Sequence, residues 1–187
     1  AVIGQNPFRT GLIYNNLAFN FAKKMAQEEN RVVKLILVAE GSKEIEQWSN
    51  TVAPLFDSLA KNIRLAATNV KAILWHQAES NSDQFTAVCN NNPCYEQKLN
   101  TVIGKLDTIR AMAEDWKFIA GGISDVLIAF NNTRNSVLQN LDNDVYGNTL
   151  FTSAVGIPVS GDNTHFTPQG LIDLGIRYYY RYKDGRD

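Results

Sequence analysis

Histidine is scarce in this sequence: there are two in 187 residues. Cysteine is equally rare, with two, and Cys89 and Cys94 have too few further ligands in their own segment for a zinc site. Charge of one sign is not in surplus. A formal net charge of -1 removes the main reason to expect nucleic acid or an anionic membrane surface as partner. Long apolar runs are missing, and none approaches the ~20 residues of a membrane-spanning helix. The first residues, Ala1-Val-Ile-Gly, carry neither the basic region nor the long apolar core of an intact signal peptide. Internal repeats, low-complexity stretches and linkers are absent too. What remains is a chain long enough for one domain, residues 1–187, with a real core. Its 44% apolar and 20% charged content is ordinary for a globular protein.

The patterning alternates. Residues 1–11 are turn-rich, with Gly4, Asn6, Pro7 and Gly11. Leu12 to Glu29 reads as an amphipathic helix. Arg31 to Ala39 is a nearly continuous β-branched and apolar run and reads as a buried strand. Pro54 to Ala67 reads as a helix with proline in its first turn, and Val70 to Trp75 as a second buried strand. A polar loop follows, then a long helix predicted over Tyr95 to Trp116. Short strands are expected at Lys117–Ala120 and Leu150–Val155, with mixed loop and helix over Ser124–Leu141. Thr167-Pro168 marks the start of a last helix, whose tyrosines 178–180 read as packing rather than as a binding stripe. Strands alternating with helices predict an α/β fold, a mainly parallel sheet with helices on both faces.

In such a sheet, ligands bind at the carboxyl edge of the strands. The most polar cluster in the chain, Trp75-His-Gln-Ala-Glu-Ser-Asn81, falls at that edge. Glu40-Gly41-Ser42 and Gly121-Gly122 follow other expected strands. Gly161-Asp-Asn-Thr-His165 precedes the last helix. Both histidines, His76 and His165, lie in these elements. Asp162-x-x-His165 suits a pair in which a carboxylate orients an imidazole that takes a proton from a hydroxyl nucleophile; a capping aspartate beside a surface histidine is the alternative. The Gly41 and Ser42 N–H groups, with Gln77, are candidate donors to an oxyanion, against the reading of a plain strand-to-loop glycine. Glu79, His76 and Trp75 are candidate scaffold of the site. A metal reading joins His76, Glu79, Asp162 and His165 as ligands, but His76-x-x-Glu79 lies past a strand rather than on a helix. Cys89 and Cys94 favour a tight disulfide-closed loop and an oxidising compartment, with free thiols as the alternative. Asn131-Asn-Thr133 is an N-glycosylation sequon.

These blocks resemble a known family. Trp75-His-Gln-Ala-Glu-Ser-Asn81 resembles the Trp-His-Gln-Gly-Glu-Ser-Asp/Asn block of the sialate O-acetylesterase-like, carbohydrate-esterase branch of the SGNH hydrolases. Ala39-Glu-Gly-Ser-Lys-Glu-Ile-Glu-Gln-Trp48 resembles its Gly-Gly-Ser-x-Ile-x-x-Trp block, and Asp162 to His165 its Asp-Gly-x-His block. The resemblance implies a three-layer α/β/α sandwich with a flavodoxin-like sheet, and hydrolysis of acetyl esters on sugars without metal or organic cofactor. It makes His165 the general base and Asp162 its partner, and puts Gly41 or Ser42, with Gln77, in the oxyanion region.

The chain departs from the family at defined points. It has no Gly-Gln-Ser-Asn nucleophile block; Gly4-Gln5-Asn6 lacks the serine. The first strand and the nucleophile are therefore expected upstream or on another chain, as a partner to this one. Ser42 and Ala78 stand where the family has glycine, and a backbone donor tolerates either only if φ is negative there. The reading that follows is a serine-type acetylesterase acting on acetylated carbohydrate, secreted or at a cell or virion surface. Its alternative is a catalytically inactive carbohydrate-binding or structural module of the same fold.

Overall fold

The computed structural model describes residues 15–50, 52–66, 69–81, 88–110, 112–126, 128–143 and 147–185, without the side chains of residues 66 and 128–133. The turn-rich opening over 1–11 and the Asn131 side chain of the sequon lie outside the described set. Among the described residues the helices are α1 Leu17–Glu29, α2 Glu46–Ser49, α3 Pro54–Ala66, α4 Asn92–Asp107, α5 Ile128–Asn140 and α6 Pro168–Asp184. The strands β1 Val70–Trp75, β2 Met112–Gly121 and β3 Thr149–Thr152 form a sheet in the order β1-β2-β3. Both pairings are parallel. Among the described residues no helix is long and apolar enough to cross a membrane.

Strand alternation explains the layers. Side chains two apart on a strand share a face. Ile73 and Trp75, Phe118 and Ala120, and Phe151 face one side, where they pack with α3, α4 and residues of α5. Leu74 and Ile119 face the other, where they meet Leu17, Phe21 and Met25 of α1 and Leu174, Tyr178 and Tyr179 of α6. The sheet thus has helices on both sides, the α/β arrangement that the sequence predicts. Tyr178 and Tyr179 belong to the core, as their spacing on α6 implies.

Two segments differ from the sequence reading. Residues 31–39 form no strand among the described residues and carry a single β-bridge position, at Leu37. Ile36 and Val38 lean on one core, Val33 and Leu35 on the other, and Val32 is 97% exposed. An apolar β-branched run suits a strand, but a strand also requires a continuous ladder of paired residues, and among the described residues only Leu37 of this segment is bridged. The long helix expected to reach Trp116 stops at Asp107, with Thr108 at its C-cap. Ile109 and Met112, three apart, fit a helix, yet Met112 begins β2 opposite Val70. The β2 register then jumps to Lys117 opposite Ala72, a bulge spanned by the Lys71–Asp115 ion pair at 2.6 Å.

Candidate active site

Parallel pairing places the ends of β1, β2 and β3 at one edge, with Trp75 opposite Ala120, and Gly121 opposite Thr152. At the end of β1 the chain turns inward. His76, Gln77 and Asn81 are all buried. Gln77 Nε2 donates to the Lys43 carbonyl at 3.1 Å and to Asn81 Oδ1 at 2.8 Å. The Tyr95 hydroxyl of α4 reaches the Gln77 carbonyl and Oε1, each at 3.0 Å. Burial pushes the Tyr95 phenol well up, so it stays a neutral donor.

The His76 side chain is 1% exposed. Its ring meets the Phe166 ring edge-on at 5.5 Å. Nε2 lies 3.2 Å from Glu79 Oε1. Burial would raise the Glu79 carboxyl, but His76 and the backbone N–H groups of Glu79 and Ala78 hold it below its ordinary value. Tyr178 of α6 donates to the Trp75 carbonyl at 2.5 Å. Gly121 makes this packing feasible, because a Cβ there would stand 2.1 Å from the Tyr178 hydroxyl and 2.9 Å from His76 Nδ1. Trp75 itself is fully buried against Trp48 and Phe118, so it braces the tip from beneath.

The segment 40–45 is tied to this tip. Besides Lys43, Ile45 is held by its N–H to Asn81 Oδ1 at 2.8 Å. Gly41 and Ser42 form the exposed turn ahead of these anchors, and among the described residues neither backbone N–H finds an acceptor. Ser42 has φ 59°, left-handed backbone, so the sequence-level condition of a negative φ is not met there. Ala78 is not among the positive-φ residues, so its methyl group is accommodated. A left-handed residue other than glycine costs roughly 1–2 kcal/mol, while glycine costs more entropy on folding. Ser42→Gly is therefore expected to raise stability by about 0.5–1 kcal/mol, as read from urea denaturation midpoints.

Asp162 and His165 sit on a braced hairpin between β3 and α6. The Val159–Phe166 antiparallel bridge closes it, with Ser160 N donating to the His165 carbonyl at 2.7 Å and Thr167 N to the Pro158 carbonyl at 3.0 Å. Asn163 turns the corner at φ 58°. It stands where the resembled family has glycine, and asparagine tolerates this region well. Asp162 Oδ2 is 2.6 Å from His165 Nδ1. Its Oδ1 accepts from the Ser160 hydroxyl at 2.6 Å, His165 N at 2.9 Å and Thr164 N at 3.0 Å. Those bonds, the Ser160 hydroxyl foremost, hold the carboxyl far below its ordinary value. The carboxylate is thereby kept ionised, and Nδ1 is the engaged nitrogen of the imidazole.

Cys89 and Cys94 form a disulfide with a Cα–Cα separation of 5.2 Å at the start of α4. The ring it closes is short, with a sequence separation of 5. Chain entropy gives such a cross-link about 2 kcal/mol. Replacing both cysteines by serine is expected to lower unfolding stability by about that amount, measured against the oxidised parent.

The structure brings Gln77 to the 41–45 turn, His76 to Glu79 and Phe166, Asp162 to His165, and Cys89 to Cys94. Among the described residues it records no hydrogen bond from His165 to Gly41, Ser42 or Gln77. The four candidate metal ligands form two separate pairs, and no group of three His, Cys, Asp or Glu assembles among the described residues. Asn81, Glu46, Tyr95, Arg134, Tyr178 and Ser160 carry much of the bracing, and of these the sequence assigns a role only to Tyr178, as helix packing. Asn81 and Glu46 lie inside two of the three quoted blocks, which is the available signal; Arg134 sits far along the chain, outside all three.

The sequence matches the family model described as carbohydrate esterase, sialic acid-specific acetylesterase, over residues 14–184. The chain belongs to this family. Its fold is similar to that of a protein from Arabidopsis thaliana known by crystal structure, with TM-score 0.72 at 20% identity. That likeness covers 89% of this chain and 67% of the plant chain. No curated protein matches. Membership in the carbohydrate esterase family supports hydrolase chemistry in general, and the disulfide and the family are compatible with an extracellular setting.

Proposed function

We propose that this protein hydrolyses acetyl esters on carbohydrates outside the cell by a Ser-His-Asp mechanism. The observation that carries the reading is the Asp162–His165 pair, 2.6 Å apart on a doubly braced hairpin, in a chain of the carbohydrate esterase family. A serine from outside the 187 residues attacks the acetyl carbonyl while His165 Nε2 takes the hydroxyl proton. The free N–H groups of Gly41 and Ser42 receive the oxyanion. Collapse expels the sugar hydroxyl, which leaves with the proton from His165. Water then attacks the acyl-serine, His165 accepts its proton, and acetate departs as the proton returns to the serine.

Gln77 enters the proposal as a strut and not as an oxyanion donor, because both hydrogens of its amide are already donated, to Lys43 and Asn81. The same commitment, with the side chain at Ser42, favours a second reading: a sugar-binding or structural module that has lost its chemistry. A serine-directed fluorophosphonate followed by intact mass separates the two on the full-length gene product. One phosphonyl adduct, with release of acetate from an acetylated sugar, is the expected result. An unmodified mass and no acetate would leave the binding module.

A further inference from the structure

We propose that Asn81 is the positioning residue of the 41–45 turn, the residue that sets where its two N–H groups point. This rests on the oxyanion role given above to that turn. Asn81 is wholly buried and uses its amide completely. Oδ1 accepts from Ile45 N at 2.8 Å and Gln77 Nε2 at 2.8 Å, so one oxygen joins the turn to the end of β1. Nδ2 donates to Glu46 Oε2 and to the Cys89 carbonyl, each at 3.1 Å. Those two acceptors fix which way the amide faces, since a flipped amide would set Nδ2 against the Ile45 and Gln77 donors.

The bracing continues outward. Glu46 Oε1 accepts from Cys89 N at 2.5 Å, which locks the first residue of α2 to the disulfide loop. Arg134 of α5, itself 1% exposed, donates from Nε to the Asn81 carbonyl at 2.9 Å. Its other nitrogens hold the Asn90 carbonyl and Asn92 Oδ1. The turn that carries Gly41 and Ser42 is exposed and has no core of its own, whereas its C-terminal anchor is a buried network. Asn81 is where the two meet. A buried network with every member satisfied rigidifies what it holds, and displacement of a reacting group by about 1 Å can cost about 10²-fold in rate.

The test compares the full-length parent with Asn81→Asp and with the milder Glu46→Gln. Asn81→Asp keeps the shape and the acceptor oxygen but replaces the donor that faces Glu46 and Cys89. Glu46→Gln can retain the bond from Cys89 N and loses only the one from Asn81. Hydrogen exchange is read at Ile45, with Gly122, whose N–H bonds the Thr152 carbonyl across the β2–β3 edge, as internal control. Exchange at Ile45 is expected to quicken by about tenfold or more in Asn81→Asp, and less in Glu46→Gln, with Gly122 unchanged. On 4-nitrophenyl acetate, kcat is expected to fall by about 10- to 100-fold in Asn81→Asp with KM moved less than about threefold. Unchanged exchange at Ile45 in both variants overturns the proposal whatever the activity. So does faster exchange at Ile45 with kcat retained in an active parent. A parent that hydrolyses no ester defeats the esterase reading instead, and the exchange measurement still decides whether Asn81 sets the turn.

Discussion

His165→Ala in the full-length protein is expected to lower acetyl ester turnover by about 10²–10⁴-fold, the range that a positioned general base supplies. The fold should survive, because the side chain is 60% exposed and the hairpin's bracing bonds come from its backbone and from Asp162. The checks are 4-nitrophenyl acetate turnover and far-ultraviolet circular dichroism on the same sample. Full turnover by the folded variant would end the assignment. Asp162→Asn should also depress turnover, since the amide can settle His165 in the wrong tautomer. The pH dependence has a definite sign. The Ser160 hydroxyl, the N–H groups of residues 165 and 164 and the His165 ring lower the Asp162 carboxyl below its unfolded value. Its contribution to stability is therefore complete above the ordinary carboxylate range, near pH 4, and is lost as acid titrates the folded carboxylate. Ser160→Ala removes the largest of these influences and should move that loss toward higher pH.

Gly170→Ala is expected to damage stability and activity together. Gly170 lies in the first turn of α6, where its N–H is capped by the Thr167 hydroxyl at 3.0 Å. A Cβ there would stand 2.3 Å from the Pro158 carbonyl oxygen and 3.1 Å from Ile157 Cγ2. The first contact is with backbone and cannot be relieved by a rotamer change. The Pro158 carbonyl is also the acceptor for Thr167 N, so displacing it pulls on the base of the hairpin that carries His165. Overpacking of this kind costs about 1–3 kcal/mol, more than alanine recovers through its better helix propensity, about 1 kcal/mol. Denaturant unfolding should show the loss, and ester turnover below the unfolding transition should fall as well. A variant as stable and active as the parent would show that α6 and the hairpin do not share this contact in solution.

How much of this was legible beforehand depended on the range of the interaction. β1 was read to the residue, because Val70 to Trp75 is an apolar run bounded by polar chain. The start of α6 was equally plain, since Thr167 caps and Pro168 fits the first turn. The Asp162–His165 pair is three residues apart and closes its own loop, so the spacing carried the geometry. The segment 31–39 was harder. Its composition favours extended chain, but whether extended chain becomes a strand depends on a neighbour that composition does not name. Gln77 shows the same limit at one side chain. Its block marked it for the site, yet whether its amide hydrogens are free depended on Lys43 and Asn81, and on a tyrosine from α4 that holds its oxygen.

By itself, then, the sequence determined the α/β class and the edge at which the polar residues gather, and it favoured the Cys89–Cys94 link and the Asp162–His165 pair that the structure contains. Each rests on periodicity or on contacts within a few residues, which local stereochemistry dictates. Only the tertiary structure decided that Ser42 sits in left-handed backbone, that both amide hydrogens of Gln77 are engaged, and that Asn81, Glu46 and Arg134 form the buried frame behind the turn. Those outcomes depend on which distant donors and acceptors meet once the layers pack. A buried polar atom must find a partner, and its partner is chosen by the fold rather than by its neighbours in the chain.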